Sequence, residues 1–229
     1  MRTNDKTAVV TGASRGLGLA LAAGLSARGW HVIADARDGD RLRATGLPGV
    51  THIPGDVTDP GHRNEIRAAT EGGVDLLVNN ASALGPSPQP HLADYPLDIL
   101  EHVYAVNTFA PLALIQALLP ALRARHGRII NITSDAAVEP YEGWGGYGSA
   151  KAALDQLTAI LAAEEPALRV YAADPGDMNT DLHQQAFPGE DISDRPAPAT
   201  VVPALLRLVE GDLPSGRYRA ADLGTEVPA

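Results

Sequence analysis

The segment that most restricts this chain lies near its start. Thr7-Ala8-Val9-Val10 is a short apolar, β-leaning run that reads as a buried strand. Thr11-Gly12-Ala13-Ser14-Arg15-Gly16-Leu17-Gly18 follows at once, and Leu19, Ala20, Leu21 and Leu25 then trace a helical apolar face. Strand, glycine-rich turn and helix in direct succession predict a βα unit whose turn can hold a phosphate. Glycines permit positive φ and close backbone approach, and a helix start presents free N–H groups to an anion. The same segment also suits a tight βα turn with no ligand. Its spacing, T-G-x-x-x-G-x-G, does not meet the generic G-x-G-x-x-G dinucleotide pattern.

The rest of the chain repeats the alternation. Strands are predicted near 7–11, 30–35, 50–53, 74–79, 127–133, 168–173 and 216–220, and helices near 16–28, 60–70, 96–106, 108–124, 147–163 and 199–210. Such a pattern predicts an α/β fold: a doubly wound parallel sheet of about seven strands flanked by helices, with right-handed crossovers. No linker or internal repeat interrupts it, so residues 1–229 are expected to form a single domain. Apolar residues make up 45% and aromatics 4%, so the core must be Ala, Val, Leu and Ile, which suits a sheet buried on both faces. Ala83 to Pro90 and Phe187 to Pro198 are irregular and proline-rich. Both follow strand ends on the side where such sheets bind ligands, which makes them candidate substrate walls.

Charge and residue usage exclude several classes. A net charge of −10 argues against nucleic acid and anionic membranes as partners. With no cysteine, disulfides, thiolate catalysis and thiolate metal sites are all ruled out. His52, His62 and His126 show no ligand spacing, so no metal is predicted. Met1 to Lys6 is polar and too short for a signal peptide, and no uninterrupted apolar stretch of membrane-spanning length is read, so a cytoplasmic location is expected.

Chemistry concentrates in Trp144-Gly145-Gly146-Tyr147-Gly148-Ser149-Ala150-Lys151. On a helix the i, i+4 spacing puts the Tyr147 phenol and the Lys151 ammonium on one face. A phenol ionises near ~10, and a cation beside it is expected to lower that value towards the working range of a general acid/base. Three strand ends accompany the pair: Val78-Asn79-Asn80-Ala81-Ser82, Asn131-Ile132-Thr133-Ser134 and Asp174-Pro175-Gly176, the last followed by Thr180. Together with the glycine turn, these motifs resemble, in order, those of the short-chain dehydrogenase/reductase family in its compact, carbonyl-reductase-like branch. The resemblance covers residues 7 to about 180.

The resemblance implies a Rossmann-type fold and a nicotinamide-dependent reaction between a carbonyl (ketone, aldehyde or quinone) and an alcohol. Tyr147 would pass the proton, Ser134 would polarise the substrate oxygen, and Lys151 would hold the nicotinamide ribose. Asn107 would position a water that links Lys151 to solvent. Gly12, Ser14, Arg15, Gly16, Leu17 and Gly18 would cradle the cofactor; Asp56 and Val57 would meet the adenine, and Asn80 and Ala81 would follow the dinucleotide. Pro175, Gly176 and Thr180 would meet the nicotinamide.

NADP(H) is favoured over NAD(H), because Arg37 and Arg15 can clamp a 2′-phosphate and Ala36 leaves no carboxylate to repel it. Asp35 is the competing sign: one residue of slip would put it on the ribose. Period-two alternation places it instead on the face of Ile33.

Ser82 and Ala110 depart from the family pattern, each standing where glycine is frequent. The ending Ser215 to Ala220 lacks the Gly-Gly of acyl-carrier ketoreductases. Within the candidate lid, Asp177 to Pro198, His183 is expected to be solvated, while Trp144 and Tyr141 are expected to line an apolar pocket. A non-catalytic NADP(H)-binding sensor of the same fold is the alternative reading; it would be expected to lose Ser134, Tyr147 or Lys151, and all three are present. The resemblance implies that helix 147–163, with apolar residues in excess, and helix 108–124, with the mixed surface Leu112, Gln116, Leu119 and Arg123, pack on their symmetry mates in a homodimer or homotetramer; a monomer whose extra apolar residues pack under the proline-rich loops is the alternative.

Overall fold

Alternation along the strands sorts the core into two layers. In a computed structural model, which describes residues 6–224, seven strands form one sheet: β1 (Thr7–Val10), β2 (His31–Ala36), β3 (Val50–Pro54), β4 (Leu76–Asn79), β5 (Arg128–Ile132), β6 (Arg169–Asp174) and β7 (Gly216–Arg219). Ala8, Val10, Val32, Ala34, Val78 and Ile130 point to one face; Val9, Ile33, Leu77 and Ile129 point to the other. The first face is covered by α1 (Gly16–Ser26), through Leu17, Leu21 and Leu25, and by α8 (Val202–Glu210), through Leu205, Leu206 and Leu208. The second is covered by α3 (Pro60–Ala69), through Ile66, and by α5 (Ala110–Arg125), through Leu114, Leu118 and Leu122. Each such side chain, taken fully out of water, stabilises the fold by roughly 1.5–3 kcal/mol before entropy is charged.

All six strand pairings are parallel, in the order β3-β2-β1-β4-β5-β6-β7. The chain therefore begins mid-sheet, runs outward to β3, crosses back to β4 and continues to the opposite edge. The order reverses between β1 and β4, so their carboxyl ends open the crevice where such sheets take a ligand. Below that edge, Asn79 Nδ2 donates to Asn131 Oδ1 at 2.8 Å, and Asn131 Nδ2 donates to Thr158 Oγ1 at 2.8 Å. This buried polar ladder ties β4 and β5 to α6 (Gly145–Glu164).

The structure corrects the sequence reading in four respects. The predicted helices 96–106 and 108–124 are not separated at Asn107. A five-residue π turn, Ala105–Phe109, joins α4 (Leu97–Tyr104) to α5 without interruption. The continuous stretch Leu97–Arg125 has 29 residues, and its most apolar 18-residue window has a mean hydropathy of 1.6, which is long and apolar enough to cross a membrane, contrary to expectation; half of that window is buried inside the molecule. Helix α6 begins two residues before Tyr147. Three short helices were not predicted: α2 (Gly39–Arg43), α7 (Asp181–Ala186) and α9 (Ala220–Leu223). The first two are set by side-chain caps, since Asp38 accepts from Arg41 N and Thr180 accepts from His183 N. Met1 to Asp5, part of the polar N-terminal segment, lies outside the described residues.

Candidate active site

The glycine turn is held open by its neighbours. Gly12 has φ +67°, and a Cβ there would lie 2.9 Å from Ala81 Cα. Thr11 Oγ1 accepts from Asn80 N at 2.9 Å and from Ala81 N at 3.0 Å, while Asn80 Nδ2 donates to Thr11 O at 2.9 Å. Asn80 thus spends its amide strapping the turn between β1 and α1 onto the end of β4. Gly18 does not line the cleft: a Cβ there would collide with Gly12 O and the Asn80 amide, so its bareness lets α1 pack against the turn.

Above this strap runs a cavity of about 670 Å³. At one end it is lined by Gly12, Ser14, Arg15, Gly16, Leu17, Arg37, Arg41, Asp56 and Val57, and past Asn80 and Ala81 it continues to Ser134, Tyr147, Lys151, Pro175 and Gly176; Thr180, also in the lining, lies beside Gly16. Arginines flank one end and a phenol stands at the other. The spacing between them is filled by backbone and small side chains. This is the shape and charge distribution that a phosphorylated dinucleotide requires, so the residues present fit a nicotinamide cofactor.

Asp35, at the end of β2, lines the cavity but is held by partners within the chain. It is only 1% exposed, and its carboxylate accepts from Gly12 N at 3.1 Å and from His62 Nε2 at 2.5 Å. It shares the face of Ile33, as alternation predicts, and its oxygens are already engaged beneath the glycine turn. His62, which drew no functional reading in the sequence, is its buried partner. Burial pushes the Asp35 carboxyl up, with His62 and Gly12 opposing; the hydrogen bond to Asp35 holds His62 above the usual imidazole value.

Tyr147 and Lys151 lie in the first turns of α6, both buried, with Lys151 only 1% exposed. Lys151 Nζ sits 5.5 Å from the centre of the Tyr147 ring and donates to Ile132 O at 2.8 Å. Burial pushes the Tyr147 phenol up to about 12, partly opposed by a hydrogen bond with Ser82, and pushes Lys151 down to about 8, partly opposed by Asp155. The expected lowering of the phenol is therefore reversed: desolvation outweighs any help from the cation.

Ser134 Oγ donates to Asp135 Oδ1 at 2.9 Å and caps the short turn Asp135–Ala137 by accepting from Ala136 N at 3.2 Å. Arg217 on β7 braces it from below, donating to Ser134 O at 2.9 Å, Asp155 Oδ2 at 3.0 Å and Asp174 Oδ2 at 3.3 Å. No pattern in the sequence singled out Arg217, because the link spans 83 positions.

Asn107 does not reach the cavity. Its side chain is fully engaged inside the π turn: Oδ1 accepts from Ser82 Oγ at 2.7 Å and Ala83 N at 3.3 Å, and Nδ2 donates to Ala83 O at 2.7 Å and Val103 O at 2.9 Å. Ser82, the departure from glycine, is thus tied to Asn107, and it lies close enough to Tyr147 to oppose the upward shift of the phenol.

The lobe beyond Tyr147 is apolar. Leu84, Ala136, Trp144, Leu182 and Ala186 pack around Tyr147, and Trp144 lies 5.9 Å from the Tyr147 ring and 5.8 Å from Phe187. His183 is not solvated as expected; its side chain is 10% exposed and stacks on Phe187 at 4.8 Å. Tyr141 does not line the cavity, because its hydroxyl turns outward to Asp135 Oδ2 at 3.0 Å.

Known proteins share this arrangement. The model of the family described as short chain dehydrogenase matches residues 6–191. A short chain dehydrogenase of Emericella nidulans is 37% identical over 174 residues, which span 69% of this chain and 64% of that protein. Sepiapterin reductase of Meriones unguiculatus is 37% identical over 200 residues, 78% of this chain and 76% of that one. The structure of a short chain dehydrogenase from Escherichia coli complexed with NADPH matches with a TM-score of 0.86 at 27% identity, covering 95% of this chain and 97% of that chain. A parallel sheet that reverses at β1/β4, a strapped glycine turn and a helix-borne Tyr147/Lys151 pair thus coincide with sequence matches over most of the chain, which belongs to the short chain dehydrogenase family of oxidoreductases.

Proposed function

We propose that this enzyme is an NADP(H)-dependent carbonyl reductase acting on a small, largely apolar ketone, aldehyde or quinone. The observation that carries the reading is the Tyr147 hydroxyl: it is buried beside Lys151 and opens into the same cavity as Ser134 and the glycine turn. Cofactor choice is supported by Arg15, Arg37 and Arg41 at the far end of the cavity, by the engagement of Asp35, and by the NADPH held in the Escherichia coli relative. The reductase named among the relatives points to the same class of chemistry.

When bound, the nicotinamide exchanges hydride with the substrate carbon. The chain manages the proton. A phenol held near 12 stays protonated through the neutral range, so Tyr147 Oη is loaded to donate to the carbonyl oxygen as it gains negative charge. Lys151 Nζ stabilises the tyrosinate left behind. Ser134 polarises the same carbonyl once its hydroxyl turns from Asp135 into the cavity. Asn107 acts as a brace: it fixes Ser82 and the start of the substrate loop. Leu84, Trp144, Leu182 and Phe187 exclude water and select an apolar substrate body.

NADPH oxidation measured against a panel of apolar ketones, aldehydes and quinones tests the reading; turnover with NADH alone, or with no carbonyl in the panel, would sink it. The cytoplasm, where reduced nicotinamide pools are used, is the compartment we assign. For assembly we propose a homo-oligomer through α5 and α6, where Phe109, at the end of the π turn that leads into α5, and Ile160 on α6 remain exposed at 59% and 44%. A single species of monomer mass, 23.9 kDa, in sedimentation at micromolar concentration would overturn it.

A further inference from the structure

The arginine end of the cavity contains an ion cluster that takes no part in the catalytic set. Asp181 Oδ2 lies 2.5 Å from Arg15 NH1 and 3.6 Å from Arg41 NH1. The three side chains are about half exposed, at 52%, 45% and 49%, and all line the cavity. They come from three separate elements: Arg15 is the N-cap residue of α1, Arg41 lies on α2, and Asp181 opens α7. Two guanidiniums converging on one carboxylate oxygen form a seat for an anion, here filled by the chain itself. Arg37, beside them, has no ion-pair partner among the described residues.

Helix α7 connects that seat to the substrate lobe. Asp181 is its first residue, and Leu182, His183 and Ala186 line the cavity on the Tyr147 side. Phe187, directly after the helix, stacks on Trp144. Whatever removes Asp181 from the arginines releases the one ion pair that, among the described residues, ties the start of this lid to the glycine turn.

We propose that Asp181 is an internal stand-in for the 2′-phosphate of NADP(H), and that displacement by that phosphate frees α7. This rests on the cofactor reading above. The phosphate brings about two negative charges and three acceptor oxygens to guanidiniums that Asp181 meets with one carboxylate, so it wins the seat. A cofactor with a bare 2′-hydroxyl has nothing to exchange and leaves the latch shut. Asp181 is therefore a specificity-determining residue that acts at the lid: it makes the phosphorylated cofactor the signal for access to the apolar lobe.

The test uses the full-length protein and two probes that differ only in the phosphate, 2′-phospho-ADP-ribose and ADP-ribose. Affinities are read by calorimetry, and the lid by Trp144 fluorescence in a Trp30→Phe background, which leaves Trp144 as the sole tryptophan. Asp181→Asn, at an exposed position, should bind the phosphorylated probe about fivefold more tightly than wild type and ADP-ribose within about twofold. Its Trp144 emission without ligand should match that of wild type saturated with the phosphorylated probe. Unchanged or weaker affinity of Asp181→Asn for the phosphorylated probe, or equal tightening for both probes, overturns the role of Asp181 and leaves the cofactor reading standing. A wild type that binds both probes equally overturns the cofactor reading and this proposal with it.

Discussion

Two buried charges flank the crevice, and the molecule treats them oppositely. Under the glycine turn, Asp35 is 1% exposed and accepts from Gly12 N and His62 Nε2. Behind Tyr147, Lys151 is equally buried but has one carbonyl acceptor, Ile132 O, and the Tyr147 ring. Desolvation acts on both, raising the carboxyl and lowering the ammonium. Asp35 draws a proton-bearing partner to itself, so its charge is compensated in place and fixes the backbone. Lys151 has no carboxylate in contact among the described residues, so its burial is relieved only in part, by the more distant Asp155, and its charge remains available to the phenol. A charge matched by the fold holds structure, and a charge left short of partners serves chemistry.

The largest effect expected from this contrast is on the reactive side. Tyr147→Phe removes the proton donor and nothing else, so turnover should fall by about 10²–10⁴-fold while NADPH affinity and thermal stability change little. Comparable activity of this variant on a substrate found in the carbonyl panel would remove Tyr147 from the reaction.

Lys151→Met separates stability from chemistry at the same site. In the folded state the ammonium titrates near 8, against 10.5 for the free group. Below about 8 both states are protonated and the burial cost is paid in full; between the two values the unfolded chain binds more protons, so wild-type stability rises with pH. The methionine variant should lose most turnover, gain about 1–2 kcal/mol at pH 7, and lose that rise. Urea unfolding at pH 7 and 9.5 decides. A variant less stable than wild type at both values would mean that the Ile132 contact outweighs the desolvation.

Much of this contrast was legible in the sequence, because its determinants are local. The apolar runs and their period-two alternation place the seven strands within two residues at each end, and alternation alone assigns Asp35 to the face of Ile33. Tyr147 and Lys151 follow from an i, i+4 spacing. What escaped depends on partners distant along the chain or on burial. His62 meets Asp35 across 27 positions, Arg217 reaches Ser134 across 83, and Arg15 meets Asp181 across 166. The sign of the phenol's shift was missed for a different reason: spacing places the cation, but only packing sets how much water is lost. Asn107 was read as a break between helices because no local rule anticipates a π turn that absorbs the extra residue.

The smallest effect belongs to the compensated charge, and its sign is specific. His62 is held above its ordinary value by the hydrogen bond to Asp35, with burial opposing. A raised folded-state value means that its contribution is complete below the unfolded imidazole value of about 6.5 and is lost as pH rises through the folded one. His62→Gln keeps an N–H donor for Asp35 Oδ2 but cannot titrate. Wild type should therefore lose about 0.5–1 kcal/mol relative to the glutamine variant as pH is raised from 6 to 9, read by urea unfolding at each pH. Both proteins should retain the glycine turn, so their affinities for 2′-phospho-ADP-ribose at pH 6 should agree within about twofold. Parallel stability profiles would show that the pair carries no titrating proton in this range. A large loss of cofactor affinity in the variant would show that the imidazole itself, beyond its donated hydrogen bond, holds Asp35 against Gly12.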